Sequence, residues 1–207
     1  MKKLTNSEIR SRFLKNALRS TALIMVFLGP SCVRVHAGSQ NPGTHVESND
    51  VGTQITNYLK EGRYDDAVRV GLQAIKNRPD DEIIYNAIAI VYLARAEKDV
   101  EHRQQWVKNA VLYTEKGLSL NSRTADVGGV LLFQHARSFE RAGELATTER
   151  CNYFERARKL LEERVAFLQG DQLTLEGKNY PLAPLREENA KALAQIKTNA
   201  EKFGCAK

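Results

Sequence analysis

Helical periodicity runs almost without a break through the middle of this chain. From residue 50 to residue 168, apolar residues recur three and four positions apart, and Pro79 is the only proline. This spacing puts apolar side chains on one face of an α-helix, whereas a half-buried strand would alternate every second residue. The sequence therefore predicts an all-α fold, with six helices in this region. Their expected bounds are 50–61, 64–78, 82–97, 102–120, 126–142 and 148–168.

The remainder of the chain predicts a loop and one further helix. Residues 169–183 contain glycine and proline residues that interrupt the helical pattern. In residues 184–207 the apolar residues again keep to one face, over a helix expected at 185–203. Gly204 then stands at the position after the helix end where glycine is favoured. We expect this last helix to cap the preceding ones.

The stretch GRYDDAVRVGLQAIKNRP, residues 62–79, has the features of a helical hairpin that stacks on another hairpin. Gly62 ends one helix and turns the chain. Ala67 and Ala74 are seven positions apart, so they share a helix face and let a partner backbone approach closely. Pro79 ends the second helix.

Further along, the same spacing of small residues returns at Ala110 and Gly117, after a helix that carries Tyr85, Ala89 and Tyr92 on one face. This pattern resembles the tetratricopeptide repeat, which has a period of about 34 residues. The resemblance implies a short solenoid of about three hairpins over residues 50–168.

Two departures from the repeat pattern accompany this resemblance. Residues 97–105 look like an insertion in the second unit, between Tyr92 and Ala110. The third unit, residues 125–169, keeps only Phe154 and Ala157 at the right separation. A degenerate end unit is typical of repeat arrays, because it packs on one neighbour only.

In the tetratricopeptide family the first helices of the hairpins line a concave groove that holds a peptide or helix of another protein. The resemblance implies that Asn86 would bind a peptide backbone and that Lys60 would meet a carboxylate. For Ile90 and Leu93 the alternative is packing against the third hairpin or the last helix. The full set implied as groove lining is Thr56, Lys60, Asn86, Ile90, Leu93 and Ala94.

The positive charge of the chain lies at its beginning. Of 31 basic and 25 acidic residues, seven basic and one acidic fall in residues 1–37, so the rest is neutral. Residues 38–207 therefore carry no net positive charge that would attract the phosphate backbone of nucleic acid. The same 37 residues resemble a signal peptide, with a basic start, a short apolar run and small residues before a cleavage site after Ala37.

Export to the bacterial periplasm or envelope is therefore expected, with residues 38–49 as a flexible leader. Two alternatives remain for the first segment: a lipoprotein acylated at Cys32, or an uncleaved anchor. Either would associate the protein with a membrane. After cleavage, Cys151 and Cys205 would remain, and an even pair in an oxidising compartment suggests a disulfide. The alternative is two unpaired thiols.

No arrangement typical of catalysis is evident in the sequence. Phosphate-loop, nucleophile-elbow and zinc-protease motifs are missing, and the four histidines are scattered. We expect no enzymatic activity, no cofactor and no metal. The resemblance implies instead a scaffold that binds another protein, with a structural subunit of an envelope or secretion complex as the alternative.

Overall fold

A computed structural model of the protein describes residues 48–121, 126–175 and 178–205. The expected signal peptide, Cys32 within it, the cleavage site after Ala37 and the leader up to residue 47 lie outside the described residues.

Seven α-helices account for most of the described chain, which confirms the all-α expectation. Every expected helix is found, and its ends differ from the expected ones by at most four residues. The helices are α1 (Ser48–Lys60), α2 (Tyr64–Asn77), α3 (Glu82–Lys98), α4 (Arg103–Leu120), α5 (Val130–Leu145), α6 (Arg150–Arg164) and α7 (Ala183–Lys202). A short 3-10 turn, Val127–Gly129, precedes α5, and another, Val165–Leu168, follows α6.

Glycine ends the first and the last helix, as the sequence predicts. Gly62 has φ 72° and Gly204 has φ 71°, in the left-handed region that residues with a side chain rarely adopt. The backbone N–H of the residue after each glycine donates to a carbonyl of the preceding helix. Arg63 donates to the Tyr58 carbonyl at 2.8 Å, and Cys205 donates to the Ala200 carbonyl at 2.8 Å. These bonds satisfy carbonyls that a helix end leaves without a partner.

The segment expected to be a loop contains a small β-hairpin instead. Strand β1 (Gln172–Leu175) pairs antiparallel with β2 (Lys178–Pro181), with Leu173 opposite Tyr180. A Cβ atom added at Gly128 would lie 3.8 Å from Leu173 Cδ2, so the β-hairpin lies close to the 3-10 turn Val127–Gly129. The sequence alternates polar and apolar residues here for only four positions, which is too short a run to outweigh the nearby glycine and prolines.

The helices form three antiparallel hairpins, α1–α2, α3–α4 and α5–α6, followed by α7. The first helices pack in sequence, α1 on α3, α3 on α5 and α5 on α7. The second helix of each hairpin also contacts the first helix of the next unit. The small residues Ala67, Ala74, Ala89, Ala110 and Gly117 are buried, where they let the helices approach closely.

The second and third hairpins share one side-chain to backbone contact at an offset of 47 residues. Arg103 Nε donates to the Ala96 carbonyl at 3.0 Å, and Arg150 Nε, 47 positions later, donates to that of Gly143 at 2.9 Å. Both bonds tie the start of a second helix to the end of the helix before it. The third hairpin thus repeats this contact of the second hairpin at the same spacing.

Two clusters of buried apolar residues form the core. One lies between the first hairpin and α3, around Ile55, Ala67 and Ile88. The other extends from α3 to α7, around Leu132, Phe154 and Leu161. Helix α3 contributes to both, so it joins the two halves. Across the described residues, no helix combines the length and apolar character that a membrane span requires.

Candidate functional site

The six residues that the sequence implies as groove lining lie on α1 and α3. Thr56 is half-buried, and its hydroxyl donates to the Gly52 carbonyl of its own helix at 2.8 Å. Lys60 is exposed at the end of α1. On α3, Ile90 and Ala94 are half-buried and so reach the surface. All four residues are therefore at least partly accessible to solvent.

Asn86 does not have the role expected for it. It is 4% exposed, and its amide contacts α5. Nδ2 donates to Gln134 Oε1 at 3.0 Å, while Oδ1 accepts from the Ser138 hydroxyl at 3.4 Å. With donor and acceptor both engaged by the third hairpin, this amide is closed to a peptide backbone.

Leu93 is covered in the same way. It is 6% exposed and belongs to the larger core cluster. For this residue the alternative of packing against the third hairpin is correct. The physical reason is common to both corrections: α5 packs directly on α3, and no sequence pattern within α3 shows which of its faces α5 will cover.

Helix α5 carries a row of charged residues that sequence reasoning missed. Arg137 pairs with Glu140, and Arg141 pairs with Glu144. The offset of 47 residues places this row at the positions that Ile90, Leu93, Ala94 and Glu97 occupy on α3. The row on α5 consists of Arg137, Glu140, Arg141 and Glu144.

Arg141 links the two first helices. Its guanidinium contacts Glu144 on its own helix and Glu97 on α3, with an Nε to Oε1 distance of 2.7 Å. The guanidinium geometry suits two carboxylates at once. This part of the face is therefore polar and ion-paired, while the α3 part offers Ile90 and Ala94.

Glu140 is the most unusual member of the row because it is buried, at 2% exposure. Its Oε1 accepts from Asn199 Nδ2 of α7 at 3.1 Å. Burial raises the pKa of the Glu140 carboxyl to about 7, since the low-dielectric interior disfavours its charged form, and Arg137 opposes this only in part.

The two histidines within the described chain lie apart from one another. His135 is fully buried in α5, and its Nε2 lies 2.7 Å from Glu82 Oε1 at the start of α3. His102 is exposed and lies beside Asp99. Among the described residues, no group of three or more His, Cys, Asp or Glu side chains is placed to hold a metal ion. The His135 contact joins two helices in the interior.

The expected disulfide is confirmed. Cys151, in the first turn of α6, is bonded to Cys205, which follows the end of α7, and the two are 54 residues apart in sequence. Phe203 stacks on Phe154 in this region with ring centroids 5.9 Å apart, and the Arg150 guanidinium lies 4.1 Å from the Phe203 ring. Covalent and apolar contacts together attach the end of α7 to the third hairpin.

Comparison of the sequence with protein-family models and with curated proteins finds no match.

Proposed function

We propose that this protein is a non-enzymatic, tetratricopeptide-like scaffold of the bacterial periplasm or envelope. Its first helices would present a face that binds a peptide or helix of another protein. The observation that carries the proposal is that four of the six implied residues remain accessible on adjacent helices: Thr56, Lys60, Ile90 and Ala94. Stacked first helices of this kind form an extended surface rather than an enclosed pocket.

The chemistry of this face suits a partner with both apolar and charged side chains. Ile90 and Ala94 supply apolar contact on α3, and Lys60 supplies a positive charge on α1. Arg137 is 31% exposed at its side chain on α5, beside the Glu140 carboxylate. An amphipathic helix presents such a combination on one side.

Site-specific photo-crosslinking in the native host tests this proposal. The reactive residue is placed at position 94 and, separately, at position 60. The matched control is position 112, because Leu112 is 49% exposed on the second helix α4. We expect one discrete adduct from 94 and 60, and none from 112.

A further variant ties the adduct to the face. Ile90→Asp places a charge on the apolar part of the surface and should weaken the adduct at position 94, whereas Leu112→Asp should leave it unchanged. Adducts of equal strength at 94 and 112, or insensitivity to Ile90→Asp, would show that this face is not the binding surface.

The export part of the proposal has its own measurement. The intact mass of the protein purified from its host distinguishes cleavage after Ala37, acylation at Cys32 and an uncleaved chain. A mass that corresponds to a chain beginning at Gly38 supports export by a simple signal peptide. An uncleaved chain found among the cytosolic proteins would overturn this part.

A structural subunit of an envelope assembly is the second candidate. One observation in its favour is that Asn86 and Leu93 are buried, which leaves fewer residues on the expected binding face. Another is that large apolar side chains lie at the surface, such as Val100 at 66% and Leu112 at 49% exposure. Mass in solution as a function of concentration separates the two candidates. A scaffold should remain a monomer, whereas an isolated subunit should associate through its exposed apolar residues.

A further inference from the structure

The disulfide between α6 and the end of α7 is accessible from one side. Cys151, in the first turn of α6, is exposed to solvent. Cys205 is half-buried, and its Sγ lies 3.9 Å from the Phe203 carbonyl oxygen. Because exchange with another thiol depends on access to the attacked sulfur, the Cys151 side of the bond is the one that a thiolate in solution reaches.

The first turn of α6 is suited to stabilise a thiolate. None of the described side chains caps its N–H groups, and the turn contains no acidic residue. The carboxylate of Glu149, just before the helix, accepts from the Tyr153 hydroxyl at 3.0 Å. Arg150 adds a positive charge next to Cys151 in the chain. Uncapped N–H groups, the positive end of the helix dipole and a neighbouring cation all favour the thiolate form of a cysteine.

The first half of α7 is attached to α6 by contacts that do not depend on the disulfide. Glu188 pairs with the buried Arg164 at the end of α6, with an Nη2 to Oε2 distance of 3.2 Å. Asn189 Nδ2 donates to the Leu161 carbonyl at 3.0 Å. Ile196 is buried in the larger core cluster. We expect this half of the helix to stay in place when the disulfide is broken.

The last turn of α7 has the disulfide and a few non-covalent contacts. Phe203 is half-buried, its ring stacks on Phe154, and the Arg150 guanidinium lies 4.1 Å from it. Asn199, one turn earlier, donates to two carboxylates of α5. An aromatic stack and a cation–ring contact are each small compared with a covalent cross-link. Loss of the cross-link therefore increases the freedom of this turn.

We propose that the bond between Cys151 and Cys205 is a redox-controlled latch, which holds the end of α7 when oxidised and frees it when a dithiol reduces it. The latch concerns the end of the array and does not depend on which face binds a partner. Reduction is favoured because the first turn of α6 stabilises the thiolate of Cys151 that it produces.

The exchange takes place in two steps. A thiolate of the dithiol attacks Cys151 Sγ and forms a mixed disulfide. The bond to Cys205 breaks, and its electron pair leaves on Cys205 Sγ, which takes a proton from water. The second thiol of the dithiol loses its proton, attacks its partner sulfur in the mixed disulfide and releases Cys151 as a thiolate. The dithiol thus becomes a disulfide, and the two electrons that it gives up reduce the two cysteines.

Reduction of the folded, full chain by dithiothreitol tests access to the bond. We expect Gly71→Ala, which should destabilise the first hairpin, to be reduced at the same rate as the wild type, because the latch is reached in the folded state. If reduction required global unfolding, a loss of stability of that kind would raise the rate about fivefold or more. Such an increase would overturn the proposal.

Amide hydrogen exchange of the oxidised and the reduced wild type tests the release. After reduction, residues 197–205 should exchange about tenfold faster or more, while residues 185–190 and α1 should not change. Two outcomes would contradict a latch on the end of the helix. One is the absence of any difference between the two forms, and the other is an equal acceleration along the whole of α7.

A charge placed in the first turn of α6 tests the stabilisation of the reduced state. Asn152 is exposed, and Asn152→Asp adds a carboxylate that competes for the N–H groups and repels the thiolate. At a fixed ratio of reduced to oxidised dithiol, the ratio of reduced to oxidised protein should fall several-fold. Asn57→Asp, at an exposed position of α1, is the matched control and should behave like the wild type. An unchanged ratio in Asn152→Asp would refute the role assigned to this turn.

Discussion

Gly71 lies where α2 approaches α3 most closely. A Cβ atom added there would be 2.5 Å from Ile88 Cγ1 and 2.8 Å from Ile88 Cδ1, and Ile88 is fully buried. Because the isoleucine cannot move into solvent, Gly71→Ala should force the two helices apart. We expect it to lower the free energy of unfolding by about 1–3 kcal/mol. Denaturant titration followed by circular dichroism measures the change.

Gly52 provides the matched control within the same hairpin. It lies inside α1 and is exposed, and apart from its chain neighbours and the backbone of its own helix nothing lies within 4 Å of an added Cβ. Gly52→Ala should therefore raise the free energy of unfolding by about 0.5–1 kcal/mol, because alanine restricts the unfolded chain and favours the helix. A loss of stability in both variants would contradict the close approach deduced for Gly71.

At the scale of single elements, the start of α5 depends on Asp126. Its Oδ1 accepts from the Leu131 N–H and its Oδ2 from the Leu132 N–H, both at 3.0 Å, and the side chain is buried. These N–H groups have no partner within the helix. Asp126→Ala should lower the free energy of unfolding by about 1–3 kcal/mol, since it leaves them unpaired away from water.

Asp171 serves as the control for this prediction. It is an exposed aspartate near the β-hairpin, so Asp171→Ala should change the free energy of unfolding by less than about 0.5 kcal/mol. Equal losses in the two variants would show that the capping bonds of Asp126 contribute nothing to stability.

The disulfide gives a second prediction at this scale. It closes a segment of 54 residues that contains most of α6, the β-hairpin and α7. In the chain-entropy model such a cross-link contributes about 4 kcal/mol. Replacing both Cys151 and Cys205 by serine should therefore lower the melting temperature, with the first loss of amide protection in α7.

Reduction of the wild-type protein is the control for the double variant. Both treatments remove the same bond, so they should give the same melting temperature and the same pattern of exchange. If the double variant melts like the oxidised wild type, the cross-link does not stabilise the cap.

The whole molecule is joined by α3, which contributes to both core clusters. Trp106, the only tryptophan of the chain, packs on Tyr92 of α3 with ring centroids 6.0 Å apart and reports on the second and third hairpins. We expect tryptophan fluorescence and circular dichroism to give one coincident unfolding transition. Ile88 lies in the other cluster. Ile88→Ala should lower the free energy of unfolding by about 2–5 kcal/mol, and both signals should report the same loss.

Separate transitions for the two signals would indicate that the hairpins unfold independently. The same would follow if Ile88→Ala shifted circular dichroism and left the fluorescence transition in place. Leu72→Ala is the matched control, because Leu72 is a large apolar residue that remains 38% exposed on α2. Leu72→Ala should change the free energy of unfolding only slightly, whether it is measured by fluorescence or by circular dichroism.

The sequence by itself predicted the helices to within four residues at each end, and it favoured a disulfide between the two cysteines of the helical part. Helical periodicity and glycine at helix ends depend on residues within a few positions of one another, so Gly62 and Gly204 could be assigned without any knowledge of the packing. The pairing of Cys151 with Cys205 followed from their being the two cysteines left after the expected cleavage.

The tertiary structure alone decided which faces are covered and which groups meet. Asn86 and Gln134 are 48 positions apart, and Asn199 and Glu140 are 59 apart, so neither contact leaves a trace in local periodicity. The packing of α5 on α3 closed part of the expected groove, and that of α7 on α5 placed an amide group against a buried carboxyl group. Burial depends on how whole helices stack, and that arrangement is the sum of many distant contacts.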